Sequence, residues 1–169
     1  TGDQELQEDV AQLGRKAQPD EVDDVRRATA IEREWWGHIP AFADGQAIMQ
    51  AVHAGNLQLV VASDAYLPIL RYRNPDLRDT YPPFLEPHTH ALLQRIGQEW
   101  RRRADESAID PDARLALTGL ATTTAYQKTL VAAGKLAIEG NPHSRGVAFD
   151  FDATGYYLGE TPINHRPDD

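Results

Sequence analysis

The chain contains no cysteine. That excludes a disulfide framework, a cysteine-ligated structural zinc and a cysteine nucleophile, and it leaves the redox compartment open. No apolar run approaches the roughly 18–20 residues that cross a bilayer as a helix, so no membrane span is expected. Positive charge is scarce: 17 Lys and Arg stand against 26 Asp and Glu, for a net charge of -9. Proteins that neutralise phosphates carry a basic footprint, and its lack argues against nucleic acid as a partner. The one basic cluster, Arg101-Arg102-Arg103, falls at the end of an expected helix, where cations complement the helix dipole. Acidic residues concentrate before Glu34, as on a solvated helical face. The chain opens Thr-Gly-Asp without a signal peptide, as a mature or trimmed form would.

What is present suits one domain with a helical extension. At 169 residues the chain can bury a sizeable core without staples. Residues 1–56 read as the N-terminal helical extension and 57–169 as an α+β core, with truncation at the C-terminus one reading of its ending. Leu6, Val10 and Leu13 predict a helix over 3–17 that Pro19 breaks, and Asp20 is positioned to cap a second helix closing at Trp35-Trp36. The paired Trp residues read as anchors for this hairpin, or as a ligand platform. A short helix near 44–54 follows. Leu57 to Ala62 is apolar and β-branched and reads as a strand. Residues 64–87 read as a long structured loop. Glu86-Pro87 opens a helix to about Arg103, with Leu92, Ile96 and Trp100 on one face. Arg114 to Gly119 alternates like a strand, Thr123 or Thr124 caps a helix to Ala133, and Val147 to Phe151 is a strand that Thr154-Gly155 turns back through Tyr156-Tyr157-Leu158.

Chemistry concentrates in His143-Ser-Arg-Gly146-Val-Ala148-Phe-Asp150. His and Asp are both ordinary zinc ligands, and a catalytic zinc takes three protein ligands and leaves one position open. Gly146 permits the turn that swings His143 over the start of the strand. Side chains alternate along a strand, so Ala148 and Asp150 share one face while Val147, Phe149 and Phe151 point to the core. From spacing alone, a loop histidine and a strand aspartate that never meet explain the same residues.

His143-x-x-Gly146-x-Ala148-x-Asp150 resembles the first zinc-ligand motif of the bacterial D-alanyl-D-alanine carboxypeptidase/dipeptidase family, which has the Hedgehog/D,D-peptidase fold. Leu117 to Gln127 is similar to that family's strand-turn-helix, and Tyr81-Pro-Pro-Phe-Leu-Glu-Pro87 resembles an uncharacterised branch of the group. The likeness spans about residues 57–158. It implies a small antiparallel sheet packed with helices, a resident zinc held by His143, Asp150 and a later His, a Glu as general base, and a peptidoglycan stem peptide or precursor as substrate. His165 and Glu160 are the residues after Asp150 able to fill the last two ligand and base roles, although Glu160-x4-His165 is wider than the family's Glu–His pairing. Thr122, Thr123 and Gln127 would line the substrate. The cell envelope or the exterior would be the location.

The departures from the family are specific. Asn141 stands where the family has Ser, and Thr122 where it has an Arg that clamps the substrate carboxylate. A non-catalytic member serving as a cell-wall binding or interaction module is therefore the competing expectation. A partner-binding role for the acidic extension and Trp35-Trp36 is a third. His88 and His90 lie two apart at a helix start and point in different directions, while His38 and His53 read as packing or surface residues. Asp152 shares the face of Asp150, as a group orienting a ligand or as a solvent-facing turn residue. Nothing in the sequence sets the oligomeric state.

Overall fold

The computed structural model describes residues 16–68, 83–159 and 161–163. Residues 3–15 of the expected first helix, much of the 64–87 loop, Glu160 and His165 lie outside the described residues. Those that are described form an α+β arrangement of four helices and small sheets without a closed barrel.

Helix α1 spans Pro19–Trp36, with Gln18 as its N-cap. Asp20 therefore lies in the first turn instead of capping. The reason is Pro19: its missing N–H costs nothing at the first helical position, where its fixed φ suits the helix. The Gln18 N–H donates to Glu21 Oε2 at 2.8 Å. At this helix's end Trp36 is buried and Trp35 is 75% exposed, because consecutive helical residues are turned about 100° apart. Only one of the two Trp residues is an anchor. Helix α2, Gly45–His53, is capped by Asp44, whose Oδ1 accepts from the Ala47 N–H at 2.9 Å, and it buries Ile48.

Strand β1, Gln58–Leu59, pairs antiparallel with β3, Phe84–Leu85. This ladder is shorter than the apolar run 57–62 suggested, although Val60 N–H extends it by one bond to the Pro83 carbonyl, 2.7 Å. Helix α3, Pro87–Glu106, begins at Glu86, whose carboxylate accepts from the His88 and Thr89 N–H groups. Its buried residues are Leu93, Gly97 and Ala104, whereas Leu92 is 50% exposed. Gly97 explains the rotation. A Cβ there would come within 3.0 Å of Ala65 Cβ and 3.2 Å of the Tyr66 ring, so the glycine lets the helix lie close against β2, Tyr66–Pro68.

Strand β4, Ala113–Gly119, is the centre of the main sheet. On one edge it pairs parallel with β2, from Tyr66↔Leu115 to Pro68↔Leu117. The sheet is thus mixed where an antiparallel one was expected, since the long connection carrying α3 allows a parallel return. On the other edge β4 meets β5, Asp150–Phe151, and β6, Tyr156–Leu158, both antiparallel. These are two segments of one strand direction. Residues 152–155 make an excursion between them, so Thr154-Gly155 does not reverse the chain. Asp152 Oδ1 accepts from Thr154 N–H and Oγ1 at 2.8 and 2.6 Å, which closes that excursion. Reversal comes at Gly159, with φ +59°, the left-handed region that glycine enters without strain. Strand β7, Thr161–Ile163, then runs back along β6 toward the end of the sheet that carries Asp150.

Val60, Tyr66, Leu85, Leu93, Leu117 and Leu120 form the main buried cluster, with Trp100, Phe149 and Phe151 packed on it. No helix among the described residues is long and apolar enough to cross a membrane.

Candidate functional site

Strand β4 ends at Gly119, and the chain then runs through Leu120–Thr123 into helix α4, Thr124–Ala132. Against this corner packs a 3-10 turn, Pro142–Arg145. Asn141 caps the turn: its Oδ1 accepts from Ser144 N–H at 3.0 Å, and its carbonyl accepts from Ser144 Oγ at 2.7 Å. Gly146 ends the turn at φ +73°, and its carbonyl accepts from Glu86 N–H at 2.8 Å. A Cβ at this position would meet Leu57 Cδ2 at 2.8 Å. Both the backbone angle and the close packing therefore call for glycine. Thr122 N–H donates to the His143 carbonyl at 3.1 Å, which ties the turn to the strand end.

This scaffold brings His143 and Asp150 together. His143 Nε2 lies 3.2 Å from Asp150 Oδ2, with the histidine side chain 16% exposed and the carboxylate 62% exposed. On the other side of the ring, Nδ1 lies 2.9 Å from the Leu120 carbonyl oxygen, which makes Nδ1 a donor. A neutral imidazole with its proton on Nδ1 presents a bare lone pair to the carboxylate. Something positive must therefore sit between Nε2 and Oδ2, either a proton or a cation. Two ligands at about 2.0–2.1 Å from one tetrahedral zinc are about 3.4 Å apart, so the observed spacing fits a shared ion as well as a direct ion pair. The Leu120 carbonyl on Nδ1 fixes the ring tautomer and its orientation.

The electrostatics follow from the contact. Burial lowers the His143 pKa, but hydrogen bonding to Asp150, its charge and the Leu120 carbonyl outweigh burial, and the net direction is up. Asp150 is pulled below the ordinary carboxylate value mainly by its hydrogen bond with His143, against an opposing effect of burial. Gly119, the cross-strand partner of Asp150, supplies the space. A Cβ there would lie 2.6 Å from Asp150 Oδ2. From the sequence Gly119 is read only as the end of the strand, although a glycine in a strand pattern is the signal for such a close approach. The Leu120 carbonyl had no signal, because backbone acceptors carry none in the sequence.

The remaining candidates separate into three groups. Thr122, Thr123 and Gln127, expected to line a substrate, are all buried beside the His143 turn or on α4. Thr123 Oγ1 accepts from Tyr126 N–H at 3.1 Å as the helix cap, and Gln127 Oε1 is buried without a hydrogen-bond partner. His88 is exposed and its Nδ1 lies 2.8 Å from Glu86 Oε1, so it belongs to the α3 cap. Glu160 and His165 lie outside the described residues. Among the described residues no cluster of three metal-ligating side chains occurs, and His143 with Asp150 is a pair.

Comparison with known proteins finds no match to a family model, a curated protein or a solved structure.

Proposed function

We propose that this chain is a zinc-dependent peptidase of the D-alanyl-D-alanine carboxypeptidase type, acting on peptidoglycan stem peptides or their precursors at the cell envelope or outside the cell. The observation that carries the reading is the commitment of both His143 ring nitrogens, Nδ1 to the Leu120 carbonyl and Nε2 to Asp150. With Nδ1 donating to a carbonyl and Nε2 facing a carboxylate, the imidazole is set to give its Nε2 lone pair to a cation that the carboxylate shares. His143 and Asp150 would supply two ligands and a later histidine, His165, the third. When bound, zinc would polarise a carbonyl and acidify a water. The protein's own contribution is rigidity: the Asn141-capped turn aims the imidazole, Gly119 makes room for the carboxylate, and Phe149 and Phe151 anchor the strand segment on the core. Glu160 would act as general base.

A second reading, a non-catalytic wall-binding or interaction module of the same ancestry, draws on Thr122, Thr123 and Gln127. Their burial leaves no hydroxyl or amide of theirs presented to a substrate where the family has its arginine clamp. One experiment separates the two. The full chain is loaded with zinc, and metal content is measured alongside D-alanine release from a stem pentapeptide. Equimolar zinc with D-alanine release, both lost in His143→Ala, supports the peptidase. No product release supports the module, and no zinc at saturating metal overturns the peptidase.

A further inference from the structure

The arginines of helix α1 have unlike surroundings. Arg26 and Arg27 are paired with Asp23 and Asp24, each three residues back. Arg33 has Thr29, Ala30, Trp36 and Gly37 at the positions three and four residues away, so its own helix offers it no carboxylate. Its side chain runs past the helix end instead. A Cβ at Gly37 would lie 2.7 Å from Arg33 Cγ, so the glycine leaves open the path by which this side chain reaches Gly140.

There it meets a second guanidinium. Arg145 Nη2 and Arg33 Nη2 lie 3.6 and 4.0 Å from the point a Gly140 Cβ would occupy. Burial first, and then the charge of Arg33, lowers the Arg145 pKa. Among the described residues neither arginine has a carboxylate within ion-pair reach, and Glu139, the acid beside this loop, faces Lys128 at 3.7 Å. Two like charges brought together in this way repel, and an anion between them turns the repulsion into attraction.

Arg145 shows which anion fits. Its Nε donates to the Gly140 carbonyl at 3.3 Å and its Nη1 to the Ile39 carbonyl, while Trp36 lies beneath the guanidinium. These contacts hold the group in place, which lowers the cost of ordering it around a ligand. They leave Nη2 without an acceptor and open to solvent. Arg145 therefore cannot offer a planar carboxylate the two-pronged fork that suits it best. Single N–H groups from two arginines on different elements suit a tetrahedral oxyanion, whose acceptor oxygens point several ways.

We infer that Arg33 and Arg145 together bind a phosphate dianion beside Gly140, as inorganic phosphate or as the phosphate of a small monoester. The inference is independent of the metal site.

The test is an NMR titration of the full chain, dialysed free of metal, with inorganic phosphate, glycerol 3-phosphate and acetate at constant ionic strength. A pH of about 7.5 keeps the phosphates mainly dianionic. Both should give saturable shifts at the Gly140 and Asn141 amides, with acetate about tenfold weaker or more. Tighter binding of glycerol 3-phosphate identifies a monoester as the ligand, and equal or tighter binding of inorganic phosphate identifies the free ion. Arg33→Gln should weaken both by about tenfold or more, and Arg26→Gln, on the same helix, should leave them unchanged. Arg33 is exposed, so its replacement leaves the core untouched. Thermal melting supplies a second readout: phosphate should raise the Tm of the native chain and not that of Arg33→Gln. Acetate binding as tightly as phosphate, native-like phosphate binding by Arg33→Gln, shifts confined to other residues, or no saturable shift up to about 10 mM would each overturn the inference.

Discussion

His143 and Asp150 each alter the charge of the other, and the consequences appear in stability. The folded His143 pKa lies above the ordinary 6.5, so the stabilisation it provides is complete below about 6.5 and is lost as pH rises through the raised value. The folded Asp150 pKa lies below the ordinary 3.8, so its stabilisation is present above about 3.8 and is lost as pH falls through the lowered value. In chelator-treated protein the pair should therefore stabilise most between those values. Denaturant melts across pH should show this window in the native chain and a flatter profile in His143→Ala. Zinc should shift the optimum upward, because metal binding needs the histidine deprotonated. Gly119 provides a second check at this scale. Gly119→Ala drives a methyl to 2.6 Å from Asp150 Oδ2 and displaces the carboxylate. Zinc affinity measured by competition with a chelating dye should fall about tenfold or more, in the range seen for residues that support metal ligands. An unchanged affinity would mean that Asp150 is not a ligand.

Helix α3 and the β4–α4 corner show what periodicity can and cannot specify. Pro87 after Glu86 marked the start of α3 correctly, because proline is favoured at the first helical position. The buried face was legible only to within one position. Leu92 and Leu93 are equivalent in an apolar pattern, and the choice was made by Gly97 closing on Ala65 and Tyr66, a contact across the fold. Leu93→Ala should cost about 2–5 kcal/mol of stability in denaturant melts, and Leu92→Ala about 0.5 kcal/mol or less. Equal costs would contradict this assignment. At the corner, Thr123 was one of two residues positioned to cap α4, and its Oγ1 does so. Thr123→Ala should cost about 1 kcal/mol, typical of a lost cap. The excursion at 152–155 was not legible, since a Thr-Gly pair marks both a hairpin and a bulge.

Across the whole molecule, N-terminal residues are joined to the His143 turn by specific bonds. Phe42 N–H donates to the Ser144 carbonyl at 2.7 Å, and the Phe42 and Ala43 carbonyls accept from Thr124 and Ala125 N–H at 2.9 and 3.1 Å. Trp36 lies under the Arg145 guanidinium, 5.2 Å from ring centroid to Cζ, while Arg145 Nη1 donates to the Ile39 carbonyl. Composition suggested an extension here but could not reveal these contacts, because carbonyls and stacked rings leave no periodic mark. Trp36→Ala should destabilise by about 3–5 kcal/mol and loosen the turn that aims His143, whereas Trp35→Ala should change little. Calorimetry on the two variants distinguishes them. Under the proposed function, His143 and Asp150 share a zinc ion. The most direct measurement is an anomalous-scattering map at the zinc edge from crystals of the full chain grown with zinc. One peak about 2.0–2.1 Å from both His143 Nε2 and Asp150 Oδ2 is expected. A zinc-free map there, with Nε2 and Oδ2 bonded directly to each other, would contradict it.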